Sequence, residues 1–204
     1  LFDLTLEEGV FLVSLARRSI ETYLTSHIAI SPPPETPKKL FKKSGVFVTL
    51  NLFPKSENSL RGCIGFPEPV KPLVDVTIKA AIEAATEDPR FPPVRIEEMN
   101  NIVVEVSVLT PPEIITYTTP EELKSQIKVG RDGLIVERGY YRGLLLPQVP
   151  VEYNWDIETF LSYTCLKAGL PPNCWQDPAT LVYKFQALIF EETSPRGNIV
   201  RKEL

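Results

Sequence analysis

The chain has 204 residues, 43% of them hydrophobic and 24% charged, an ordinary globular composition, long enough for one full domain or two small interlocked ones without covalent staples. A net charge of −4 removes the usual electrostatic source of nucleic-acid binding, and apolar runs well short of the roughly 20 residues that span a bilayer exclude a membrane helix. Three cysteines without a C-x-x-C pair give neither a disulfide framework nor a zinc pattern, and the acidic start at Asp3, Glu7 and Glu8 is unlike a signal peptide, so a soluble, cytoplasmic protein is predicted.

Thr5 followed by Glu8 is a capping-box signature, and Leu6, Val10, Val13, Ile20 and Leu24 hold helical spacing. The chain should therefore open with an amphipathic helix of about six turns. The only histidine, His27, falls at its C-terminal end, where an imidazolium complements the helix dipole; that explains it better than catalysis does. The four prolines of the stretch Ser31 to Pro37 prevent helix or strand there. Twenty prolines in all, about twice the usual share, stiffen loops as thermophilic proteins do and suggest such a source.

Val46 to Phe53 alternates apolar residues, a polar turn follows at Lys55-Ser56-Glu57-Asn58, and Leu60-Arg61-Gly62-Cys63-Ile64-Gly65 reads as the returning strand of a hairpin, with Cys63 at its exit. Gly62 and Gly65 flank the thiol and permit close approach of a ligand or a second backbone. Arg61 adds a cation beside it in sequence, which favours a thiolate if the two groups meet; strand alternation leaves that meeting open. A single cysteine in this setting also reads as a small buried core residue. Leu73 to Thr86 is predicted as a helix with a close-packing stripe of Ala80, Ala81, Ala84 and Ala85. Asp88-Pro-Arg-Phe-Pro-Pro93 then breaks regular structure and presents Arg90 and Phe91 on a stiff loop. The alternative there is that Arg90 pairs with a carboxylate and Phe91 fills the core. Ile102 to Leu109 alternates as a strand.

Thr119 and Pro120 mark a short capped helix to Gln126. Lys128 to Gly130, Leu134 to Glu137 and Tyr140 to Leu146 read as an antiparallel meander. Gly130-x-x-Gly133 is a tight turn, since it lacks the Lys-Ser/Thr ending and following helix of a phosphate loop. Pro147 ends the last of these strands, and Gln148 follows with an amide that donates and accepts. Trp155, a core anchor, precedes Asp156, which caps a helix from Ile157 to Ala168. Cys165 and Cys174 could pair, but an intracellular mesophile would keep them reduced. Leu181 to Phe190 alternates as one long last strand, and the polar tail Glu191 to Leu204 should fray. Hairpin-like pairs among helices predict an α+β fold with a mixed, mostly antiparallel sheet.

Catalytic equipment is sparse. A cysteine nucleophile needs a base or cation, and His27 lies far off in sequence. No G-x-S-x-G elbow or dinucleotide fingerprint occurs. The pairs Glu7-Glu8, Glu97-Glu98 and Glu121-Glu122 read as helix N-terminal charges, so no metal or cofactor is predicted.

Leu60-Arg-Gly-Cys-Ile-Gly65, Asp88-Pro-Arg-Phe-Pro92, Val129-Gly-Arg-Asp-Gly-Leu134 and Leu144-Leu-Leu-Pro-Gln-Val149, followed by Glu152 and Trp155, resemble in order the AMMECR domain family over nearly the whole chain. The resemblance implies a single domain over residues 1–204 made of larger and smaller interlocked parts, with the cysteine hexapeptide near a cleft between them. It implies no established activity. Two classes of function follow. In the first, an enzyme or substrate-handling subunit uses Cys63 as nucleophile or thiol carrier, Arg61 or Arg90 holds an anion, and Gln148 orients a small molecule or peptide; Gly62, Gly65, Asp88, Phe91, Glu152 and Trp155 complete the site. The family's association with Memo-type and radical S-adenosylmethionine proteins implies a place among such partners. In the second, the cleft is a peptide- or protein-binding adaptor and Cys63 is packing.

Overall fold

In the computed structural model, which describes residues 3–203, Thr5 caps helix α1 (Leu6–Ser26) through the expected reciprocal pair: Glu8 N–H donates to Thr5 Oγ1 at 3.2 Å and Thr5 N–H to Glu8 Oε2 at 2.8 Å. His27 ends the helix in the left-handed region with φ 57° and sets its ring edge-on to Tyr23 at 5.9 Å. Strands β1 (Gly45–Leu52) and β2 (Leu60–Phe66) form the antiparallel hairpin, in a register that places Thr49 opposite Cys63. Leu50 faces Gly62 and Asn51 faces Leu60, so Arg61 is the extra residue of a bulge. Helix α2 (Leu73–Thr86) follows, and strand β3 (Ile102–Leu109) pairs antiparallel with the other edge of β1, setting Thr49 opposite Glu105.

Helices α1 and α2 supply Leu12, Val13, Ala16, Ile20, Val74, Ala80, Ala81 and Ala84 to a core shared with Val46, Val48, Leu50, Val104 and Val106 of the strands. The alanine stripe lets α2 lie close: a Cβ on Gly62 would stand 2.1 Å from the carbonyl oxygen of Ala84. Every residue of β3 is buried, Glu105 included at 5% exposure.

The chain then builds a second compact unit, Thr110–Ala187. It holds β4 (Glu113–Ile114), α3 (Pro120–Ser125), β5 (Gly133–Arg138), β6 (Tyr141–Leu145), α4 (Gln148–Glu152), α5 (Ile157–Lys167) and β7 (Leu181–Phe185), with strand order β4-β7-β5-β6. The antiparallel pair β5–β6 turns at Gly139, φ 60°. Lys128 to Gly130 is not the expected strand: the buried Asp132 carboxylate accepts from Lys128 N–H at 2.8 Å and closes a turn around Gly130 at φ 83°. Gln148 follows Pro147 beyond β6, as expected, and begins a short helix. Cys165 and Cys174 are joined in a disulfide, their Cα atoms 5.9 Å apart. The chain reverses just after α5, where Leu170 N–H bonds Cys165 O, and this returns Cys174 to the helix end.

Leu181 to Phe190 is two strands, not one. Gln186 exchanges backbone hydrogen bonds with the main chain and hydroxyl of Thr110, and beyond it β8 (Ala187–Glu192) joins the first sheet. The tail does not fray: β9 (Ile199–Lys202) pairs antiparallel with β8, completing the order β2-β1-β3-β8-β9, while Leu204 lies outside the described residues. The larger unit thus consists of the chain up to Leu109 plus Leu188–Glu203. Two antiparallel sheets with separate helices make this an α+β protein. Among the described residues no helix is long and apolar enough to cross a membrane.

Candidate functional site

Because Gly62 turns toward α2, Cys63 lies on the opposite face of the sheet. There it shares a cross-strand row with Thr49 and Glu105. Thr49 Oγ1 and Cys63 Sγ share a hydrogen bond at 3.1 Å. Two positions on, Gly65 leaves room for the ring of Phe47, which would meet a Cβ there at 2.2 Å. Cys63 is partly exposed and is the free cysteine of the described residues. Burial pushes its thiol above the ordinary value. Glu105 and Asp88 push the same way, and the Thr49 bond and the Arg90 charge only partly oppose them. At neutral pH the group is a neutral thiol.

The proline-stiffened loop after α2 is fastened to β2 at two points. Asp88, 4% exposed, accepts from Cys63 N–H at 2.9 Å, from Arg90 N–H at 3.1 Å, and from Arg90 Nε and Nη2 at 3.0 and 2.8 Å. The hydrogen bonds from the Arg90 guanidinium hold this carboxyl down to about 2. At the far end Arg61 donates to Pro92 O at 3.0 Å and to both oxygens of Glu98 at 3.0 and 3.2 Å. Phe91 lies beneath both guanidiniums, with centroid distances of 5.9 Å to Arg61 and 5.5 Å to Arg90. The two arginines differ in availability. Arg61 has a side chain only 10% exposed and is committed to the loop. Arg90 is 55% exposed, and Asp88 engages only Nε and Nη2, so the Nη1 edge has no partner among the described residues.

Arg61, Gly62, Cys63, Gly65, Asp88, Arg90 and Phe91 therefore gather in the larger unit. Gln148, Glu152 and Trp155 belong to Thr110–Ala187. Gln148 is the buried first residue of α4 and Glu152 its exposed last one. Trp155 is partly buried against that unit's core and stacks on Tyr153 at 5.2 Å and Tyr163 at 4.2 Å.

Sequence reasoning missed three members. Thr49 and Glu105 reach Cys63 through strand register, which no local pattern reports. Glu98, read as a helix-start charge, does bond the Arg95 N–H at 2.8 Å, and it also clamps Arg61. Glu105 continues the polar row toward Glu191, Lys55 and Lys202; burial raises its carboxyl, while Glu191, bonded by Lys55, lies below its ordinary value. Among the described residues no three His, Cys, Asp or Glu side chains gather as a metal set.

Residues 13–190 match the family model AMMECR1. Protein PH0010 of Pyrococcus horikoshii is 63% identical over 204 residues, covering 100% of this chain and 98% of its own. Protein MJ0810 of Methanocaldococcus jannaschii is 56% identical over 202 residues, 98% of each chain. A crystal structure of the uncharacterized protein PH0010 superposes with a TM-score of 0.96 over 100% of both chains.

Proposed function

We propose that this chain, which belongs to the AMMECR1 family, is a ligand-binding protein whose Cys63–Asp88–Arg90 patch takes the carboxylate or phosphate of a small molecule or peptide. The observation that carries this reading is the asymmetry of Arg90: Asp88, which also holds the Cys63 N–H, fixes one edge of the guanidinium, while the half-exposed Nη1 edge has no partner among the described residues. A pre-oriented guanidinium offers two-point contact to a planar anion without a further loss of side-chain freedom. Cys63 and Thr49 then act as neutral polar contacts next to the bound group. Memo-type or radical S-adenosylmethionine proteins would supply or consume the ligand.

A second reading, a thiol-dependent enzyme, is favoured by one observation. Cys63 is a free, partly exposed thiol whose thiolate the Arg90 charge supports. Its weakness is the raised thiol and the absence of a histidine base: His27, the chain's one histidine, caps α1.

Titrating the chain with small carboxylates and phosphates, read by backbone-amide NMR, tests the binding reading. Saturable shifts at Cys63 and Arg90 are expected, with affinity about tenfold weaker in Arg90→Lys, because an ammonium cannot reproduce the planar contact. Undiminished binding in that variant would refute the role of Arg90.

A further inference from the structure

We propose a second ligand site, separate from the cysteine patch: a cavity of about 330 Å³ on the outer side of α1 that takes a small hydroxylated organic phosphate, of which a sugar phosphate is the simplest kind. The cavity lies between one face of α1 and the turn joining β8 to β9. Ser14, Arg18, Glu21 and Thr22 recur at helical spacing along that face, and Arg196 and Gly197 close the other side.

Arg17 and Glu192 form its floor. All of the Arg17 donors are engaged: Nε and Nη2 with Glu192 at 2.6 and 2.7 Å, Nη1 with Glu21 and Met99 O at 3.0 and 3.1 Å, and Nη2 with Ile102 O. Glu192 in turn accepts from Val104 N–H at 3.0 Å. This closed pair is rigid and close to neutral. Arg196 is drawn toward the cavity by Glu21 at 2.6 Å and Asn100 at 2.9 Å, and its turn is shaped by a left-handed φ of 57°. Arg18 has neither ion pair nor hydrogen bond among the described residues.

Three arginines face two glutamates, so the cavity carries one excess positive charge, and the unmatched guanidinium is that of Arg18. Its donors with the remaining ones of Arg196 suit a tetrahedral or planar oxyanion. The Ser14 and Thr22 hydroxyls and Glu21 Oε2, which holds no hydrogen bond among the described residues, supply acceptors that an anion alone would not need but ligand hydroxyls would. No aromatic side chain lines the cavity, so a nucleobase has nothing to stack on. The volume lies at the small end of ligand pockets.

Backbone-amide NMR of the full chain with glucose 6-phosphate and, separately, inorganic phosphate tests the proposal. Glucose 6-phosphate should shift the amides of Ser14, Arg18 and Gly197 saturably, and Arg18→Gln, an exposed change that leaves the melting temperature unaltered, should weaken this about tenfold or more. Arg90→Lys should leave these shifts intact, which separates this site from the cysteine patch. No saturable shift at these amides up to about 10 mM, or equal affinity in Arg18→Gln, would overturn the site. Inorganic phosphate binding as tightly as glucose 6-phosphate would overturn the assignment to a hydroxylated ligand.

Discussion

The Asp88 carboxylate accepts the Cys63 backbone N–H at 2.9 Å while the Arg90 guanidinium bonds both of its oxygens. One buried carboxylate thereby ties the thiol's strand to the loop that carries the exposed cation. The position of Arg90 relative to Cys63 is thus set by Asp88 and not by the length of its own side chain.

Asp88→Asn is expected to lower stability by about 1–3 kcal/mol, since an amide cannot accept the guanidinium and two N–H groups together. Thermal melts check this. The arginine partner is half exposed, so solvent screening keeps the effect near the lower end.

The same group sets part of the acid limb. Its folded value of about 2 lies below the reference 3.8, so its contribution is present in full above 3.8 and is lost as pH falls through about 2. Between those values the wild-type chain should lose about 1–2 kcal/mol more than Asp88→Asn does. Parallel acid limbs in denaturant titrations would show that Asp88 is not held down.

Gly62→Ala should cost about 3 kcal/mol or more, because the added Cβ meets backbone, the Ala84 carbonyl at 2.1 Å, and not a side chain that can turn aside. Chemical denaturation measures the loss. A near-neutral change would mean that α2 does not lie as close to β2 as described.

Replacing Cys165 and Cys174 together by alanine should lower stability by about 2–3 kcal/mol through the freedom restored to the unfolded chain. The wild-type chain should lose a similar amount on reduction. From sequence the two thiols could pair and would stay reduced only on the premise of a mesophilic cytosol. That premise is the weak step, since proteins of hyperthermophiles are often disulfide-rich even inside the cell and the twenty prolines already suggest a thermophilic source.

Much of the fold was legible because it is locally encoded: the Thr5–Glu8 cap, the alternation of β1 and β3 and the alanine face of α2 each state their element outright. Errors fell where a hydrogen-bond partner outside the apolar pattern decides. Asp132 folds Lys128 to Gly130 into a turn, Thr110 splits the last strand at Gln186, and β8 gives the polar tail a partner. At the site, Gly62, Cys63, Asp88 and Arg90 were nameable from motif and proline loop, whereas Thr49 and Glu105 enter only through register across three strands. Arg61 sits two residues from the thiol in sequence, yet the bulge and Glu98 commit its charge to the loop.

If Cys63 is a neutral contact beside an anion-binding arginine, the pH dependence of its alkylation must show it. Without reductant, iodoacetamide should reach Cys63 alone. The rate should be low at neutral pH and still rising past the ordinary thiol value of 9.0, because burial, Glu105 and Asp88 oppose the thiolate. A fast reaction that levels off at or below neutral pH would reveal a stabilised thiolate, contradict the binding account and restore the enzyme reading.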